Sequence, residues 1–252
     1  MKVRLDKLLC DSGLAPSRER AQALVIAGLV LVDGQKVDKP GAAVEAGSAL
    51  RLLGAGLRYV SRGGLKLEAA LAHFQIDVAG LTCLDVGSST GGFTDCLLQH
   101  GAARVLAIDT GYGQFDLRLR QDPRVRLLER TNARYLTAAQ LSEPVQFLTM
   151  DVSFISATLV LPAVVESIRN AASRGTPVGF DAVILVKPQF EAGREHVGRG
   201  GIVRDPVIQR QAVDRVAGSV CALGFREPSA IESPIRGAEG NREFLLYAQM
   251  RS

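Results

Sequence analysis

The run Thr82-Cys83-Leu84-Asp85-Val86, then Gly87-Ser88-Ser89-Thr90-Gly91-Gly92, then Phe93 to Gln99, constrains this chain more than any other stretch. A short apolar run stopped by glycine reads as a buried parallel strand, and residues 93–99 read as a helix. Strand, glycine turn and helix in that order form a ligand crevice at the carboxyl edge of an open α/β sheet. The glycines let backbone approach a ligand that a Cβ would exclude. The next apolar run, Arg104 to Ile108, ends in Asp109, 24 residues after Asp85. An acid there can take both hydroxyls of a ribose, so the pattern predicts a crevice for a nucleoside-bearing ligand.

The turn is neither GxGxxG nor GxxxxGK[ST], and no lysine lies between Lys66 and Lys187 to serve a phosphate cradle. Asp85 at a strand end suits a cationic centre, such as the amino group of S-adenosylmethionine. The candidate cofactor-binding residues are Asp85, Gly87, Ser88, Ser89, Thr90, Gly91, Gly92, Phe93 and Asp109, with Asn132 and Asp151 after later strands. Asn132 could bond an adenine edge or cap a helix. The competing reading, a turn that merely closes a corner, loses weight once Asp109 is in place.

With 252 residues, 47% of them hydrophobic, the chain can bury one large core or two unequal ones. The longest apolar stretch, Ala23 to Val32, is broken by Gly28 and is too short to span a bilayer. Cys10, Cys83, Cys96 and Cys221 are scattered without metal spacing, and the amino terminus does not read as a signal peptide. Both point to reduced thiols and a cytoplasmic location. Of the net charge of +4, residues 1–60 contribute nine basic and six acidic side chains. A basic lobe beside a near-neutral one suggests a nucleic-acid grip.

Along that lobe, residues 4–12 read as a helix with Leu5, Leu8 and Leu9 inward, stopped by Gly13. Ser17 caps a second helix, in whose first turn Arg18 and Arg20 oppose the dipole. Phosphate contact would explain them there. Leu29 to Val37 reads as a hairpin around Asp33-Gly34, and Ser48 to Leu53 as a returning strand. Arg4-Leu5-Asp6-Lys7-Leu8-Leu9, Gly13, Ser17-Arg18, Ala21, Gly28, Val32-Asp33-Gly34 and Val37 together resemble the S-four-type RNA-binding domain, a small α+β module. The resemblance implies RNA contact through Arg4, Lys7, Arg18 and Arg20. Gly54-Ala55-Gly56 reads as a linker, at about 54–60, between a domain of residues 1–58 and one of residues 59–252.

In the larger part, Lys66 lies one turn into a helix running to Phe74. Further strands are expected at Arg124 to Leu128, Val145 to Met150, Asp181 to Val186, Phe225 to Ser233 and Glu243 to Met250. A helix is expected from Val152 to Asn170 and another from Pro206 to Leu223. Glu191 to Asp205, with four glycines, reads as a mobile loop over the crevice in which His196 is a spectator. Asp151 and Lys187 both follow strands at the catalytic edge of the sheet.

The motifs Ser61-Arg62-Gly63-Gly64-Leu65-Lys66-Leu67, Asp85 to Asp95, Asp109 to Gln114, Asp151 to Ser156, Val186 to Glu191 and Asn241-Arg242-Glu243 resemble those of the TlyA family. That family joins an S-four-type domain to an FtsJ-type ribose 2′-O-methyltransferase, and some members are also named hemolysins. The resemblance implies a Rossmann-like, S-adenosylmethionine-dependent methyltransferase sheet and ribosomal RNA as substrate. It also implies a catalytic tetrad falling on Lys66, Asp151, Lys187 and Glu243, and no metal. The residue types suit the reaction. A ribose hydroxyl is a weak nucleophile whose proton must leave, and Lys187 could accept it or steer the hydroxyl. Two other classes remain: a non-catalytic RNA-binding or ribosome-assembly factor, and a membrane-lytic hemolysin. An intact tetrad argues against the first. The lack of a spanning segment or strongly amphipathic cationic helix argues against the second.

Overall fold

A computed structural model describes residues 2–15, 17–26, 28–52, 58–141, 143–172, 179–237 and 240–251. The expected linker Gly54-Ala55-Gly56 lies outside the described residues.

The amino-terminal part comprises β1 (Lys2–Arg4), α1 (Leu5–Asp11), α2 (Arg18–Ile26), β2 (Val30–Val32), β3 (Gln35–Lys36), β4 (Ala43–Glu45) and β5 (Leu50–Leu52). Leu5 and Leu9 of α1 pack on Ala21, Leu24 and Val25 of α2 and on Val30 and Val32. The β2–β3 hairpin turns at Asp33 and Gly34, with φ of 51° and 81°, the conformation that an Asp-Gly pair favours. The pairing of β1 with β4 has no signal in the sequence. Both are three-residue edge strands in which only the central residue is even partly buried.

Asp6 is the fully buried hub of this part. Its carboxylate accepts hydrogen bonds from the Arg4 and Arg18 guanidiniums and from Gln22 Nε2. Arg4 foremost, with Gln22 and Arg18, holds the Asp6 carboxyl well below the usual carboxylate range against the opposing effect of burial. Besides any phosphate contact, both arginines have partners within the chain. Arg18 is anchored on Asp6, and Arg20 Nη1 donates to the carbonyls of Tyr59 and Val60 at 3.1 and 3.0 Å. Val60 N in turn donates to Asp95 Oδ2 at 2.7 Å. This strap fastens α2 to the larger part.

The larger part comprises α3 (Gly63–Phe74), β6 (Thr82–Val86), α4 (Gly92–Gln99), β7 (Arg104–Ile108), α5 (Leu117–Arg120), β8 (Val125–Leu128), β9 (Phe147–Met150), α6 (Leu161–Ala172), β10 (Phe180–Val186), α7 (Pro188–Glu191), α8 (Pro206–Ala222), β11 (Arg226–Glu232) and β12 (Phe244–Met250). The sheet order is β11-β12-β10-β9-β6-β7-β8. Strands β6 to β10 run parallel, and β12 is inserted antiparallel between β10 and β11. Both faces are covered, so the strands are apolar throughout. In β10, Ala182, Ile184 and Val186 face the layer of α6 and α8, whereas Val183 and Leu185 face the layer of α3 and α4.

The helix expected from Val152 begins only at Leu161. Residues 151–156 are irregular, and a 3-10 turn at Ala157–Leu159 precedes α6. Pro162, the second residue of α6, is tolerated in a first turn but not in a helix interior, and the turn before it is held by the buried Glu191 carboxylate, which accepts from Ala157 N at 2.7 Å and from Ser156 Oγ at 2.5 Å. No helix among the described residues is long and apolar enough to cross a membrane.

Candidate active site

The strand order reverses between β6 and β9, which are neighbours although α4, β7, α5 and β8 lie between them in the chain. Ligands bind outside the carboxyl ends of strands at such a switch point. Gly87 leaves β6 with φ of 84°, and a Cβ on it would overlap the carbonyl oxygen of Asp151 at the end of β9. A Cβ on Gly92 would overlap Ser61 Oγ and crowd Gly64 N, so α4 begins pressed against the start of α3. Between them Ser88 is buried, and its Oγ has no hydrogen-bond partner among the described residues. A glycine cradle with an unsatisfied hydroxyl fits a polar ligand at this point.

Asp109 is half-buried behind the cradle. Its Oδ2 accepts from Ser89 N at 2.8 Å and its Oδ1 from Gly111 N at 2.6 Å. The carboxylate is thus aimed, and each oxygen retains a second lone pair. Thr90, Phe93, Gly113 and Gln114 line this end of a cleft of about 850 Å³, and Asp109 stands behind them without lining it. Glu19, Gln22, Ala23 and Ile26 of α2 line it from the other side, so both parts of the chain build it.

One expected cofactor contact, Asp85, is corrected, and Asn132 takes the capping role that was its alternative. Asp85 does not face the cleft. It shares the strand parity of Cys83, which points into the α3/α4 layer, and it is fully buried there. Its carboxylate accepts from Thr94 Oγ1 at 2.6 Å and Thr149 Oγ1 at 3.0 Å. Asn132 is exposed and caps a 3-10 turn, accepting from Arg134 N at 3.1 Å.

Burial pushes the Asp85 carboxyl up to about 6, against the two threonine bonds that favour its charged form. A raised folded-state value means that the folded protein holds the proton more tightly than the unfolded chain. Stability from this group therefore falls as pH rises from about 4 to 6 and is flat above. Thermal melts of Asp85→Asn and wild type should show the gap moving in the variant's favour across that range. A gap that does not change with pH refutes the assignment.

At the floor of the cleft stand two ion pairs. Lys66, in the first turn of α3, places Nζ 2.5 Å from Glu243 Oε2. Lys187, the cap of α7, places Nζ 2.5 Å from Asp151 Oδ1 and donates to Ser153 Oγ at 2.7 Å. Both lysines are 8% exposed and Glu243 is 3% exposed. Glu243 arrives here because β12 is antiparallel. Val186 pairs with Phe244, so the start of β12 meets the end of β10. Asp151, Lys187 and Glu243 thus come together from three adjacent strands, and all four residues line the one cleft.

Asn241 and Phe154 enter the sequence reading only as members of motifs, and His196 only as a spectator. Asn241 is buried and uses both ends of its amide, accepting from Val203 N at 3.0 Å and donating to Gly201 O at 2.8 Å. It fastens the glycine-rich segment 198–203 beside Glu243. His196 is exposed, near Glu195. Phe154 is 92% exposed with φ of 64°, and its ring centroid lies 5.3 Å from that of Phe190 at the cleft. Left-handed backbone at an aromatic residue is an outlier that points to function.

A family model described as FtsJ-like methyltransferase matches residues 59–250, and one described as S4 domain matches residues 3–50. The 16S/23S rRNA (cytidine-2'-O)-methyltransferase TlyA of Mycobacterium tuberculosis is 46% identical over 252 residues, covering 100% of this chain and 91% of the relative. YqxC of Bacillus subtilis, provisionally named an rRNA methyltransferase, is 47% identical over 247 residues, covering 98% of this chain and 85% of its own. A solved Streptococcus thermophilus protein, provisionally named a hemolysin, is 43% identical with a TM-score of 0.75, covering 100% of this chain and 89% of that one.

Proposed function

The chain belongs to the FtsJ-like methyltransferase family, and on that premise we propose that it methylates ribose 2′-hydroxyls of ribosomal RNA, cytidine foremost, with S-adenosylmethionine as donor. The observation that carries the reading is the pair of lysine–carboxylate contacts on the cleft floor beside the glycine cradle. Bound in the cradle, S-adenosylmethionine supplies an electrophilic methyl group on a sulfonium.

The chain's own residues do the rest. Gly87, Gly91 and Gly92 admit the donor, Ser88 Oγ offers it a hydrogen bond, and Asp109 takes its ribose hydroxyls. Lys187 Nζ meets the target hydroxyl, and Asp151 with Ser153 keeps that amine aimed. Lys66 and Glu243 set the charge and shape of the floor. Alignment of a nucleophile with a reactive electrophile is the main task of such a site. Phe154, exposed at the mouth, offers its face to the target base, because base–aromatic stacking is how single-stranded RNA is commonly held. We place residues 1–58 as the RNA grip, with Arg4, Lys7 and Arg18 on phosphates. Arg4 and Arg18 side chains are each 54% exposed although anchored on Asp6. Arg20 instead serves as the strap.

Purified protein, tritium-labelled S-adenosylmethionine and ribosomal subunits lacking the modification test the activity. Label should appear in a 2′-O-methylated nucleoside after digestion, and label confined to base-methylated nucleosides, or none, rejects the proposal. Asp109→Ala should weaken binding of the donor at least tenfold, about 1.4 kcal/mol. Unchanged affinity by calorimetry would retire Asp109 from the cofactor site.

A further inference from the structure

Gln189 stands two residues beyond Lys187 on α7, next in the chain to Phe190 of the Phe154–Phe190 ring pair, and lines the same cleft. Its Oε1 is buried and accepts no hydrogen bond among the described residues. The neighbouring polar side chains are committed elsewhere. Lys187 is taken by Asp151 and Ser153, and Glu191 by Ser156 and Ala157. A buried acceptor kept without a partner is a cost that a site retains when a ligand supplies the donor.

We propose that Gln189 reads the target base, its Oε1 accepting a hydrogen bond from the exocyclic amino group of a cytosine seated on Phe154. This rests on the methyltransferase reading above and deepens it to the choice of base. The chemistry discriminates by penalty. Cytosine brings an amino donor to the buried acceptor. Uracil brings a carbonyl to the same place, and to meet it the Gln189 amide must turn over so that Nε2 donates and Oε1 is left elsewhere. A site built around a buried polar group rejects the analogue that cannot satisfy it more strongly than an apolar pocket rejects a change of size. Gln189 touches the base and not the reacting atoms, so it acts in specificity.

The test uses the full chain and ribosomal subunits in which the position methylated by wild type is first mapped. Subunits are then prepared with cytidine or uridine at that position. Wild type should favour cytidine at least tenfold in kcat/KM. Gln189→Leu, which removes the acceptor at similar volume, should lose at least tenfold on cytidine and bring the two bases within about threefold of each other. Gln189→Glu keeps an acceptor and should keep the preference for cytidine, which separates lost recognition from lost packing. Affinity for S-adenosylmethionine should stay within threefold of wild type in both variants. A wild-type cytidine-to-uridine ratio in Gln189→Leu overturns the inference while leaving the methyltransferase reading intact. If Gln189→Leu does not fold, loss of the preference in Gln189→Glu overturns it instead. Absence of methyl transfer to RNA by wild type overturns both, and the wild-type arm alone tells the two failures apart.

Discussion

Lys187→Ala should lose about 10²–10⁴-fold in turnover, the range that a positioned acid–base group contributes, while S-adenosylmethionine affinity stays within about threefold, roughly 0.65 kcal/mol. The separation follows from where the side chain is. Its amine reaches Asp151 and Ser153 on the cleft floor, whereas the glycine cradle and Asp109 lie at the ends of β6 and β7. The fold should tolerate the change, because the carboxylate left behind belongs to a side chain 22% exposed, to which water has access. Single-turnover methylation at saturating donor is the measurement. Turnover close to wild type would take Lys187 out of the mechanism and leave the tetrad without its centre. Lys187→Arg adds a second axis: arginine keeps the charge but does not release a proton near neutral pH. Substantial activity in that variant identifies a group that steers the hydroxyl. A dead variant with the donor still bound fits a group that accepts the proton.

Gly87→Ala should be strongly damaging for a single added methyl. Two costs combine at one atom. The backbone has φ of 84°, worth about 1–2 kcal/mol against any L side chain. The new Cβ would overlap the Asp151 carbonyl, and that oxygen belongs to a backbone whose N–H is bonded to Val86 O across the β6–β9 pair. It can move only if the strands part, which is overpacking of about 1–3 kcal/mol. Together these predict a melting temperature lower by roughly 4–20 °C, with donor binding lost because the cradle and Asp151 shift together. Gly91→Ala makes the contrast. There φ is 94°, but the first obstacles are the Leu119 and Phe115 side chains, which can rotate away. Differential scanning calorimetry on both variants decides the matter, and equal melting temperatures would show that the β6–β9 junction is softer than the packing implies.

What the sequence made legible, and what it hid, divides along sequence distance. Strands β6, β7, β9 and β10 are continuous apolar runs because both faces of the sheet are covered, and the Asp33-Gly34 turn needs nothing beyond itself. The four tetrad positions were carried by motif, and they do converge on one cleft. Asp85 was misplaced although its parity with Cys83 was readable, because its partner Thr149 lies 64 residues away. Arg20 meets carbonyls 39 and 40 residues on, and the turn before α6 is held by a glutamate 34 residues further. Local pattern carries the elements. Contacts that decide whether a polar side chain serves a ligand or the scaffold are made by residues that no local pattern names.

The antiparallel insertion of β12 has a consequence for how the molecule is made. β12 follows every other described element in the chain, yet it lies inside the sheet, between β10 and β11. A chain emerging from its own ribosome can pair β6 to β10, but β11 has no place to dock until β12 is available. Lys66 is a buried cation whose carboxylate partner is synthesised 177 residues later. Until Glu243 emerges, closing α3 over the sheet would seal an unpaired charge in the core, which is strongly unfavourable. The nascent protein is thereby held open around its catalytic floor. An interrupted chain ending before β12 should therefore be degraded faster than the full chain in a protease challenge.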